Sequence, residues 1–346
     1  MKKKIIHLVN SKIYSGLEKV AIEIIESLND DIDFFYACQD GPIVGILKEK
    51  NINRIKINGI TKSEIERIEK EYNPDIIHAH DYRATLICGL YAKNTKIIAH
   101  LHNNSPFIKK KFHPYNYLLL LALKSKNVKK VYLVSESIKD EYIFSKYINN
   151  KIEIIGNPIS CHNIQKNIDL NIEKEYDICF VGRLTEQKNP LRFIDIMYQI
   201  TKENEYIKAV MLGDGILFQE CERKIRELNI GKNLEMKGFS KNVYNEMVKS
   251  KIFCLTSDWE GYGLVVFEAL ALGVPVVTSN VGGIPNIIDS TCGFLCNNEN
   301  DFLYNIKNLL NNENYKNLKN NCLKRAKEIE NYQWYMEHIK NIYESI

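Results

Sequence analysis

Short apolar runs alternate with stretches of helical periodicity along most of the chain. In chain order the apolar runs are Ile5–Val9, Phe34–Cys38, Ile76–His80, Ile97–Leu101, Val131–Val134, Ile152–Ile155, Ile178–Val181, Ala209–Leu212, Leu234–Lys237, Phe253–Thr256 and Val274–Thr278. Runs of this kind are typical of strands covered on both faces, and intervening helices predict that such strands pair in parallel. We therefore expect two doubly wound α/β units that bind ligands beyond the carboxyl ends of their strands.

The length of 346 residues suits two domains better than one. After Asn157-Pro158 the sequence becomes polar and aperiodic as far as Tyr176. We predict a first Rossmann-like domain at 1–160, a linker at 161–176 and a second Rossmann-like domain at 177–330. The last segment, 331–346, contains Trp334 and is expected to form a helix that packs back across the domains. Two domains imply a cleft between them.

The composition is 45% hydrophobic and 26% charged with a net charge of +4, which indicates a globular protein and does not suggest a nucleic-acid partner. The 9 cysteines are scattered and odd in number, which is typical of free thiols in a reducing compartment. No apolar stretch approaches the roughly 20 residues that cross a bilayer. We expect a cytoplasmic protein, with peripheral contact to the inner face of the cell membrane as an open alternative.

Two glutamates, Glu260 and Glu268, flank a stretch that contains Gly261 and Gly263. Glycines allow a loop to bring its backbone N–H groups close to a ligand, and Leu264–Leu272 has helical periodicity, so these amides are predicted at a helix N-terminus. That geometry favours an anion such as phosphate. Both carboxylates can accept hydrogen bonds from hydroxyl groups, and a ligand with phosphates and hydroxyls is a sugar nucleotide.

Two cations follow the strand Ile178–Val181, in the loop Gly182-Arg-Leu-Thr-Glu-Gln-Lys188. Asn189 as N-cap and Pro190 at the first helical position predict that a helix begins here. Arg183 and Lys188 then suit a diphosphate beside the positive end of the helix dipole. Taken alone, this loop is also compatible with two solvated surface cations.

The motifs together resemble the retaining glycosyltransferases of family 4, which have the GT-B fold of two Rossmann-like domains that face each other across a cleft. They cover nearly the whole chain and are Asp75-Ile-Ile-His-Ala-His80, His100-Leu-His-Asn-Asn104, Val134-Ser-Glu136, Ile155-Gly-Asn-Pro158, Gly182-Arg-Leu-Thr-Glu-Gln-Lys188, Met211-Leu-Gly-Asp-Gly215, Lys237-Gly-Phe239, Glu260-x7-Glu268 and Ser279-Asn-Val-Gly-Gly-Ile-Pro285. In combination they are specific, although each one alone is a weak signal.

The resemblance implies a role for each matching residue. Arg183 and Lys188 match the residues that bind the donor diphosphate, and Glu260 and Glu268 match those that bind the donor sugar and the ribose. His102 matches the histidine at the anomeric centre. The implied catalytic residues are His102, Arg183, Lys188 and Glu260. The other implied donor-binding residues are Ser15, Gly16, Gly182, Gly213, Gly215, Gly238, Phe239, Gly261, Tyr262, Gly263, Leu264, Val265 and Glu268.

Two positions depart from the family pattern: Asn286 stands where an acidic residue commonly follows the Gly-Gly-x-Pro turn, and Ser15 stands where the family usually has the first of two adjacent glycines. A side chain here puts in question how closely the backbone can approach a phosphate.

The implied reaction moves a sugar from a nucleotide diphosphate, with UDP as the expected nucleotide, to a hydroxyl of a glycan or lipid-linked glycan. It retains the anomeric configuration, uses no metal and no cofactor, and belongs to the synthesis of a bacterial surface polysaccharide. Two alternatives stay open: a sugar-nucleotide epimerase of related fold, and a non-catalytic subunit that binds a sugar nucleotide.

Other patterns point to different chemistry. His78, His80, His100 and His102 form two His-x-His pairs on neighbouring predicted strands, a spacing compatible with zinc in a metal hydrolase, with Asp81 as a further ligand. Asp31-Ile-Asp33 precedes a strand instead of following one, and is expected to be a solvated turn. Cys292 and Cys296 lack a second pair and are expected to be small buried residues.

The segment Ile108–Lys130 combines lysines with the apolar run Tyr117–Leu123. Such a helix can rest on an anionic membrane. The alternative is an apolar helix face packed inside the domain with solvated lysines outside it.

Overall fold

The computed structural model describes residues 2–103, 107–108, 110, 112–166, 168–240, 242–311 and 315–346. The chain divides into unit 1, which consists of Met1–Pro158 and Asn331–Ile346, and unit 2, which is Ile159–Glu330. The segment predicted as a linker, 161–176, lies within unit 2, and the C-terminal segment lies within unit 1.

Unit 1 contains a sheet of seven parallel strands in the order β3-β2-β1-β4-β5-β6-β7. The strands are β1 (Lys4–Leu8), β2 (Asp33–Cys38), β3 (Arg54–Lys56), β4 (Ile76–His80), β5 (Lys96–Leu101), β6 (Val128–Leu133) and β7 (Ile152–Ile154). The helices that connect them are α1 (Gly16–Leu28), α2 (Ile43–Glu49), α3 (Lys62–Tyr72), α4 (Asp81–Tyr91), α5 (Pro114–Lys124) and α6 (Glu136–Glu141).

Unit 2 repeats this architecture with a sheet of six parallel strands in the order β10-β9-β8-β11-β12-β13. It begins with α7 (Cys161–Gln165). Its strands are β8 (Tyr176–Val181), β9 (Ala209–Leu212), β10 (Leu234–Gly238), β11 (Ser250–Leu255), β12 (Val276–Ser279) and β13 (Gly293–Cys296). Its further helices are α8 (Pro190–Glu203), α9 (Phe218–Glu227), α10 (Val243–Val248), α11 (Leu264–Ala271), α12 (Glu299–Leu310) and α13 (Tyr315–Ile329), and the helix α14 (Tyr332–Ser345) returns to unit 1.

These sheets confirm the expected pair of doubly wound α/β units, and the physical reason is burial on both faces of the strands. Every residue of β4 and β9 is buried, as the uninterrupted apolar runs predict. Two of the buried residues in β4 are the histidines His78 and His80. Their polarity within the interior of a sheet makes them exceptions that need hydrogen-bond partners.

Two strands, β3 and β13, were missed from sequence. β3 is a three-residue edge strand whose sequence, Arg-Ile-Lys, has one apolar position. β13 is Gly-Phe-Leu-Cys at the edge of the other sheet, where the sequence predicts only that Cys292 and Cys296 are buried. Both cysteines are indeed buried. Short edge strands have too few residues for a periodic signal.

Helix α14 is attached to unit 1 along its whole length. Tyr335 and Tyr343 are fully buried, and Ser27 in α1 hydrogen-bonds Tyr332 at 2.6 Å. Lys3 donates from Nζ to the carbonyl oxygens of Tyr343, Glu344 and Ile346 at 2.8 to 2.9 Å. A lysine that binds the last carbonyls of a helix also complements its dipole.

Within the described part of the chain, every helix is too short or too polar to span a bilayer. One face of the helix α5 is nevertheless exposed to solvent. Leu119, Ala122 and Leu123 are buried, whereas Leu118 and Leu121 are 45% and 60% exposed. Lys109 and Lys111 of the preceding basic segment lie outside the described residues, as does Asn104.

Candidate active site

The predicted cations of unit 2 lie in the loop that follows β8. This loop contains a 3-10 turn at Glu186–Lys188, and α8 then begins at Pro190 with Asn189 as its N-cap, as predicted. The Asn189 side chain accepts a hydrogen bond from the backbone of Arg192 at 3.1 Å. The loop therefore lies at the carboxyl edge of the sheet, where ligands of doubly wound folds bind.

Lys188 and Glu260, which the sequence suggested for different parts of a ligand, form an ion pair with each other. Their side chains are only 13% and 6% exposed. Ser257 also donates a hydrogen bond to the same carboxylate oxygen, Oε1 of Glu260, at 2.7 Å. A buried ion pair of this kind is held by the balance of its two charges, since removal of either partner leaves the other unpaired.

A hydrogen-bond network that the sequence did not reveal connects the loop after β8 with the loop after β11. Gln187 donates from Nε2 to the carbonyl oxygen of Trp259 at 3.0 Å, and Asp258 donates from its backbone to the carbonyl of Gln187 at 2.8 Å. Arg192 donates to the carboxylate of Asp258 at 2.7 Å. These residues position Lys188 and Glu260, but they belong to no motif with a distinctive spacing.

Arg183 differs from Lys188 in its surroundings. It is exposed and donates a hydrogen bond to Oε1 of Gln187 at 3.1 Å. Among the described residues no carboxylate forms an ion pair with it. Its guanidinium is therefore a positive group, held in place by an amide, whose charge is available to an anion.

Close backbone packing explains several glycines of the predicted site. A Cβ atom on Gly213, which has a φ of +138°, would lie 1.8 Å from the carbonyl oxygen of Gly182. A Cβ on Gly215 would lie 2.3 Å from the carbonyl oxygen of Leu184. The expected close approach at Gly213–Gly215 is thus made to the chain's own loop. These two glycines hold the Gly182–Leu184 segment against the end of β9.

A second close approach lies at Glu260. Gly282, with a φ of +59°, would bring a Cβ within 1.8 Å of the carbonyl oxygen of Glu260. The neighbouring Gly283 donates from its backbone to the carbonyl of Gly261 at 3.0 Å. The Gly282-Gly283 turn after β12 therefore fixes the backbone from which the Glu260 side chain projects.

The other predicted residues of this segment surround the start of α11. Gly263 precedes the helix with a φ of +94°, a conformation that favours glycine. Gly261 is buried, Tyr262, Leu264 and Val265 are partly buried, and burial raises the pKa of Tyr262 to about 12. In the helix, the Glu268 carboxylate accepts a hydrogen bond from the hydroxyl of Tyr244 at 2.9 Å.

The neighbouring strand β10 ends with Gly238 at a φ of +67°, followed by Phe239, which is 62% exposed. An exposed aromatic ring at the carboxyl edge of a sheet is a surface on which a planar base can stack.

A cavity of about 330 Å³ lies at the same edge of unit 2. Its lining includes Arg192, Ser257 and Asp258, together with Ser279 at the end of β12 and Asn280 after it. It contains none of the residues that the sequence assigned to a ligand.

In unit 1, Ser15 at the start of α1 already donates its hydrogen bonds to a carboxylate of the protein. The backbone N–H and the hydroxyl of Ser15 both donate to Oε2 of Glu18, at 2.9 and 2.6 Å. Glu18 is only 1% exposed. An anion at Ser15 and Gly16 would therefore have to compete with this carboxylate for the Ser15 amide.

His102 follows β5 and is one of five histidines that lie close together in unit 1. Strand register places His7 opposite His78 and His80 opposite His100. Because residues two apart on a strand point to the same face, all five rings share one face of the sheet. His78 and His100 are thus packed inside the domain.

Hydrogen bonds link these rings to each other and to Tyr343 of α14. The N···N distances are 2.9 Å between His102 and His80, 2.9 Å between His80 and His7, and 3.1 Å between His78 and His100. The Tyr343 hydroxyl lies 2.6 Å from Nδ1 of His78 and 3.2 Å from Nε2 of His7. His7 and Tyr343 come from distant parts of the chain, so sequence spacing gave no sign of them.

Burial keeps these histidines neutral. It lowers the pKa of His7 to about 3 and holds those of His78, His80, His100 and His102 well below their ordinary value. Two overlapping triplets, His7-His78-His80 and His80-His100-His102, have nitrogen atoms close enough to hold a metal ion. The zinc interpretation therefore has a geometrical basis in the same rings.

Family models match both halves of the chain. The model described as Glycosyltransferase Family 4 matches residues 15–163, and the model described as Glycosyl transferases group 1 matches residues 162–329. The boundary between the two matches lies close to the boundary between units 1 and 2.

Relatives with assigned names include two bacterial transferases. The chain is 26% identical over 310 residues to the UDP-Gal:alpha-D-GlcNAc-diphosphoundecaprenol alpha-1,3-galactosyltransferase of Escherichia coli, with 81% of this chain and 80% of that protein covered. It is 32% identical over 208 residues to an alpha-1,4-N-acetyl-D-galactosaminyltransferase of Campylobacter jejuni whose name includes a PP-undecaprenol-linked glycan. That match covers 58% of this chain and only 55% of the Campylobacter protein.

Among solved structures, Anabaena HepE in complex with UDP and glucose superimposes with a TM-score of 0.84. The superposition covers 99% of this chain and 100% of HepE at 18% sequence identity. At this identity the likeness establishes the fold of the chain.

Proposed function

Because the chain belongs to glycosyltransferase family 4 and has the GT-B fold, we propose that it transfers a sugar from a UDP-sugar to a hydroxyl of a lipid-linked glycan with retention of configuration. The donor proposal is supported by HepE, which was solved with UDP and glucose. The acceptor proposal is supported by the names of the Escherichia coli and Campylobacter jejuni relatives, which include undecaprenol diphosphate-linked glycans.

The observation that carries this proposal is the pairing of an exposed guanidinium with a buried ion pair at one edge of unit 2. Arg183 has no carboxylate partner among the described residues, while Lys188 is held beside Glu260. A diphosphate that binds Arg183 would bring its second phosphate to Lys188, which can then exchange part of its contact with Glu260 for the phosphate. Glu260 would thereby gain lone pairs for the hydroxyls of the sugar.

In this mechanism the residues act by electrostatics. Negative charge develops on the departing diphosphate while the sugar becomes oxocarbenium-like, and Arg183, Lys188 and the amides at the start of α11 stabilise that charge. Glu268 would hold the ribose and Phe239 would stack on the base. We assign His102 a hydrogen-bonding role. In unit 1 we assign Ser15 and Gly16 a secondary role, because Glu18 already binds the Ser15 amide.

The test is the turnover of purified Arg183→Ala and Lys188→Ala. Each variant should lose about a hundredfold in kcat, which corresponds to roughly 3 kcal/mol of transition-state stabilisation. Arg223→Ala is the matched control, because Arg223 is a 65% exposed cation on α9 of the same unit and should leave kcat unchanged. Near-native turnover of Arg183→Ala would contradict the assignment. Transfer should also persist in the presence of a chelator.

Two further outcomes identify the alternative functions. Nuclear magnetic resonance of the sugar nucleotide alone, and then with an undecaprenyl diphosphate-linked acceptor, separates them. An epimerase would convert the donor without acceptor, and a non-catalytic subunit would bind it without change. A thermal-shift screen of UDP-sugars and GDP-sugars identifies the donor, since a ligand that binds only the folded state raises its stability.

A lipid-linked acceptor would be reached at a membrane, and we propose that unit 1 contacts it through the α5 surface, defined as Phe112, Tyr117, Leu118, Leu121 and Lys124. The apolar members of this surface are 44 to 83% exposed. Lys124 at the end of α5 adds a positive charge that favours anionic lipids.

Sedimentation with vesicles of anionic phospholipid tests this contact. The double variant Leu118→Ser and Leu121→Ser should bind about tenfold more weakly, because burial of two leucines contributes at least about 1.4 kcal/mol. Ile216→Ser removes an 82% exposed apolar residue from unit 2 and serves as the control. Equal binding of the double variant and this control would exclude the α5 surface.

A further inference from the structure

The five histidines and Tyr343 form one unbranched chain of hydrogen bonds. It runs from Nε2 of His102 to Nδ1 of His80, and from Nε2 of His80 to Nδ1 of His7. From Nε2 of His7 it passes through the Tyr343 hydroxyl to Nδ1 of His78, and ends with the bond between Nε2 of His78 and Nδ1 of His100. His80, His7 and His78 are each bonded through both nitrogens, and His102 and His100 form the two ends.

A chain of neutral rings has only two possible directions. Each neutral imidazole carries one N–H and one lone pair, so a ring that donates on one side must accept on the other. Tyr343 has one hydroxyl hydrogen and obeys the same rule. Either all five histidines carry their proton on Nε2, or all five carry it on Nδ1. A single ring in the other tautomer would bring two N–H groups or two lone pairs face to face.

The two ends of this hydrogen-bond chain, His100 and His102, favour one of the two directions of donation. Nε2 of His100 is buried and has no hydrogen-bond partner among the described residues. If it carried a proton, that N–H group would be buried without an acceptor, which is rare in proteins and costs more than an unused lone pair. At the other end, Asn157 is close enough to His102 to raise its pKa against the larger effect of burial. Oδ1 of Asn157 has no other partner in the described chain and can accept from His102.

We propose that this chain locks all five histidines in the Nδ1–H tautomer, and that His102 is thereby a fixed hydrogen-bond donor at the carboxyl edge of the unit 1 sheet. The role deepens the proposed function and rests on it only for the identity of the ligand, whose hydroxyl or phosphate oxygen would replace Oδ1 of Asn157 as the acceptor of this single N–H. Because the lone pair of His102 faces His80, its outer nitrogen cannot accept a proton from a ligand. His102 is therefore excluded as a general base, and Tyr343 sets the tautomers of His78 and His100.

A metal ion in the same rings is the competing interpretation. A bound metal would require at least three lone pairs directed at one point, and would replace the N–H···N contacts between neighbouring rings. The observed N···N distances of 2.9 to 3.1 Å are those of hydrogen bonds. The chain of bonds uses the same nitrogen atoms, so the two arrangements exclude each other.

The tautomers are measured by nuclear magnetic resonance of the full-length protein labelled with ¹⁵N and ¹³C at histidine. The imidazole nitrogen and carbon shifts distinguish Nδ1–H from Nε2–H and from a metal-bound ring. We expect five rings with the Nδ1–H signature in the wild-type protein, without any donor present. Nε2–H signatures or a mixture at His102 would overturn the proposal. Metal-bound signatures together with stoichiometric zinc by mass spectrometry would replace it with a metal site.

Two variants on α14 test the role of Tyr343. In Tyr343→Phe the chain is cut, and His78 and His100 form a separate pair in which either direction leaves one buried N–H without an acceptor. These two rings should therefore become a mixture of both tautomers, while His102 stays Nδ1–H. Tyr335→Phe removes a fully buried hydroxyl that has no hydrogen-bond partner among the described residues, and should leave all five rings unchanged.

Uniform tautomers at His78 and His100 in Tyr343→Phe would show that the hydroxyl is not part of the chain. If this variant does not fold, the wild-type spectrum alone decides. The measurement is also independent of catalysis. Five Nδ1–H rings in a protein that transfers no sugar would refute the proposed function and leave this inference standing.

Discussion

Units 1 and 2 have the same succession of parallel strands but differ in the polar groups that they bury beside those strands. Unit 1 places four neutral histidine rings inside its sheet, with His102 half-buried at the edge, whereas unit 2 keeps an ion pair, Lys188 and Glu260, in loops at the edge of its sheet. The interior of a sheet admits polar side chains when they are uncharged and fully hydrogen-bonded. The charged pair of unit 2 lies in loops at the edge of the sheet. The difference suggests that unit 1 supplies fixed geometry and unit 2 supplies charge.

Unit 1 should unfold at a higher pH than unit 2 during acid titration, and this is the largest effect we expect. In unfolded chains histidine binds a proton below a pKa of about 6.5, whereas the four buried rings and the half-buried His102 stay neutral in the folded protein. The unfolded state then holds more protons, so stability is lost as the pH falls below about 6.5. Each ring contributes up to about 1.4 kcal/mol per pH unit. Unit 2 contains a single histidine, His162, and should resist acid to lower pH.

The two tryptophans make this measurable, because Trp334 lies in unit 1 and Trp259 in unit 2. Fluorescence of the single-tryptophan variants Trp259→Phe and Trp334→Phe reports each unit during acid titration. The Trp334 transition should occur at the higher pH. Coincident transitions below pH of about 4, where carboxylates titrate, would remove the contrast between the units.

The buried ion pair gives the second effect. Lys188→Met leaves the Glu260 carboxylate buried without its cation, so the free energy of unfolding of unit 2 should fall by about 3 to 5 kcal/mol. Lys307→Met is the control, because Lys307 and its partner Glu203 are 37% and 63% exposed and such a pair contributes about 1 kcal/mol or less. Urea unfolding followed by Trp259 fluorescence measures both. Similar losses for the two variants would mean that Lys188 and Glu260 are solvated.

The smallest effect concerns the backbone that carries Glu260. Gly282→Ala adds a methyl group against the Glu260 carbonyl and forces a side chain into the left-handed region, which alone costs about 1 to 2 kcal/mol. Gly45→Ala in α2 of unit 1 meets no atom within 4 Å and should instead raise stability by about 0.5 to 1 kcal/mol. Thermal unfolding of both variants compares them. A neutral Gly282→Ala would indicate that the turn after β12 can move away from Glu260.

The sequence predicted the strands of both sheets where apolar runs were continuous, and it predicted the start of α8 from Asn189 and Pro190. It could not predict β3 or β13, because three or four residues at a sheet edge have no resolvable period. It identified Lys188 and Glu260 by motif, but not that they bind each other, since they are far apart in sequence. The partners Gln187, Ser257 and Asp258 have common side chains at unremarkable spacings.

For the histidines, too, only part of the arrangement could be predicted from the sequence. Two His-x-His pairs on adjacent strands were visible, and period-two alternation correctly predicts that they share a face. His7 and Tyr343 were not associated with them, because only the strand order and the return of α14 bring these residues together.

The return of α14 also sets an order of events during synthesis. Unit 2 is one continuous segment inserted into unit 1, and Tyr343 is added only after all of unit 2 has been translated. On the ribosome, unit 2 can therefore complete its fold while unit 1 still lacks the hydroxyl between His7 and His78. Domains generally mature from the N-terminus onward during translation. Here the half of the molecule that is made first is the half that is finished last.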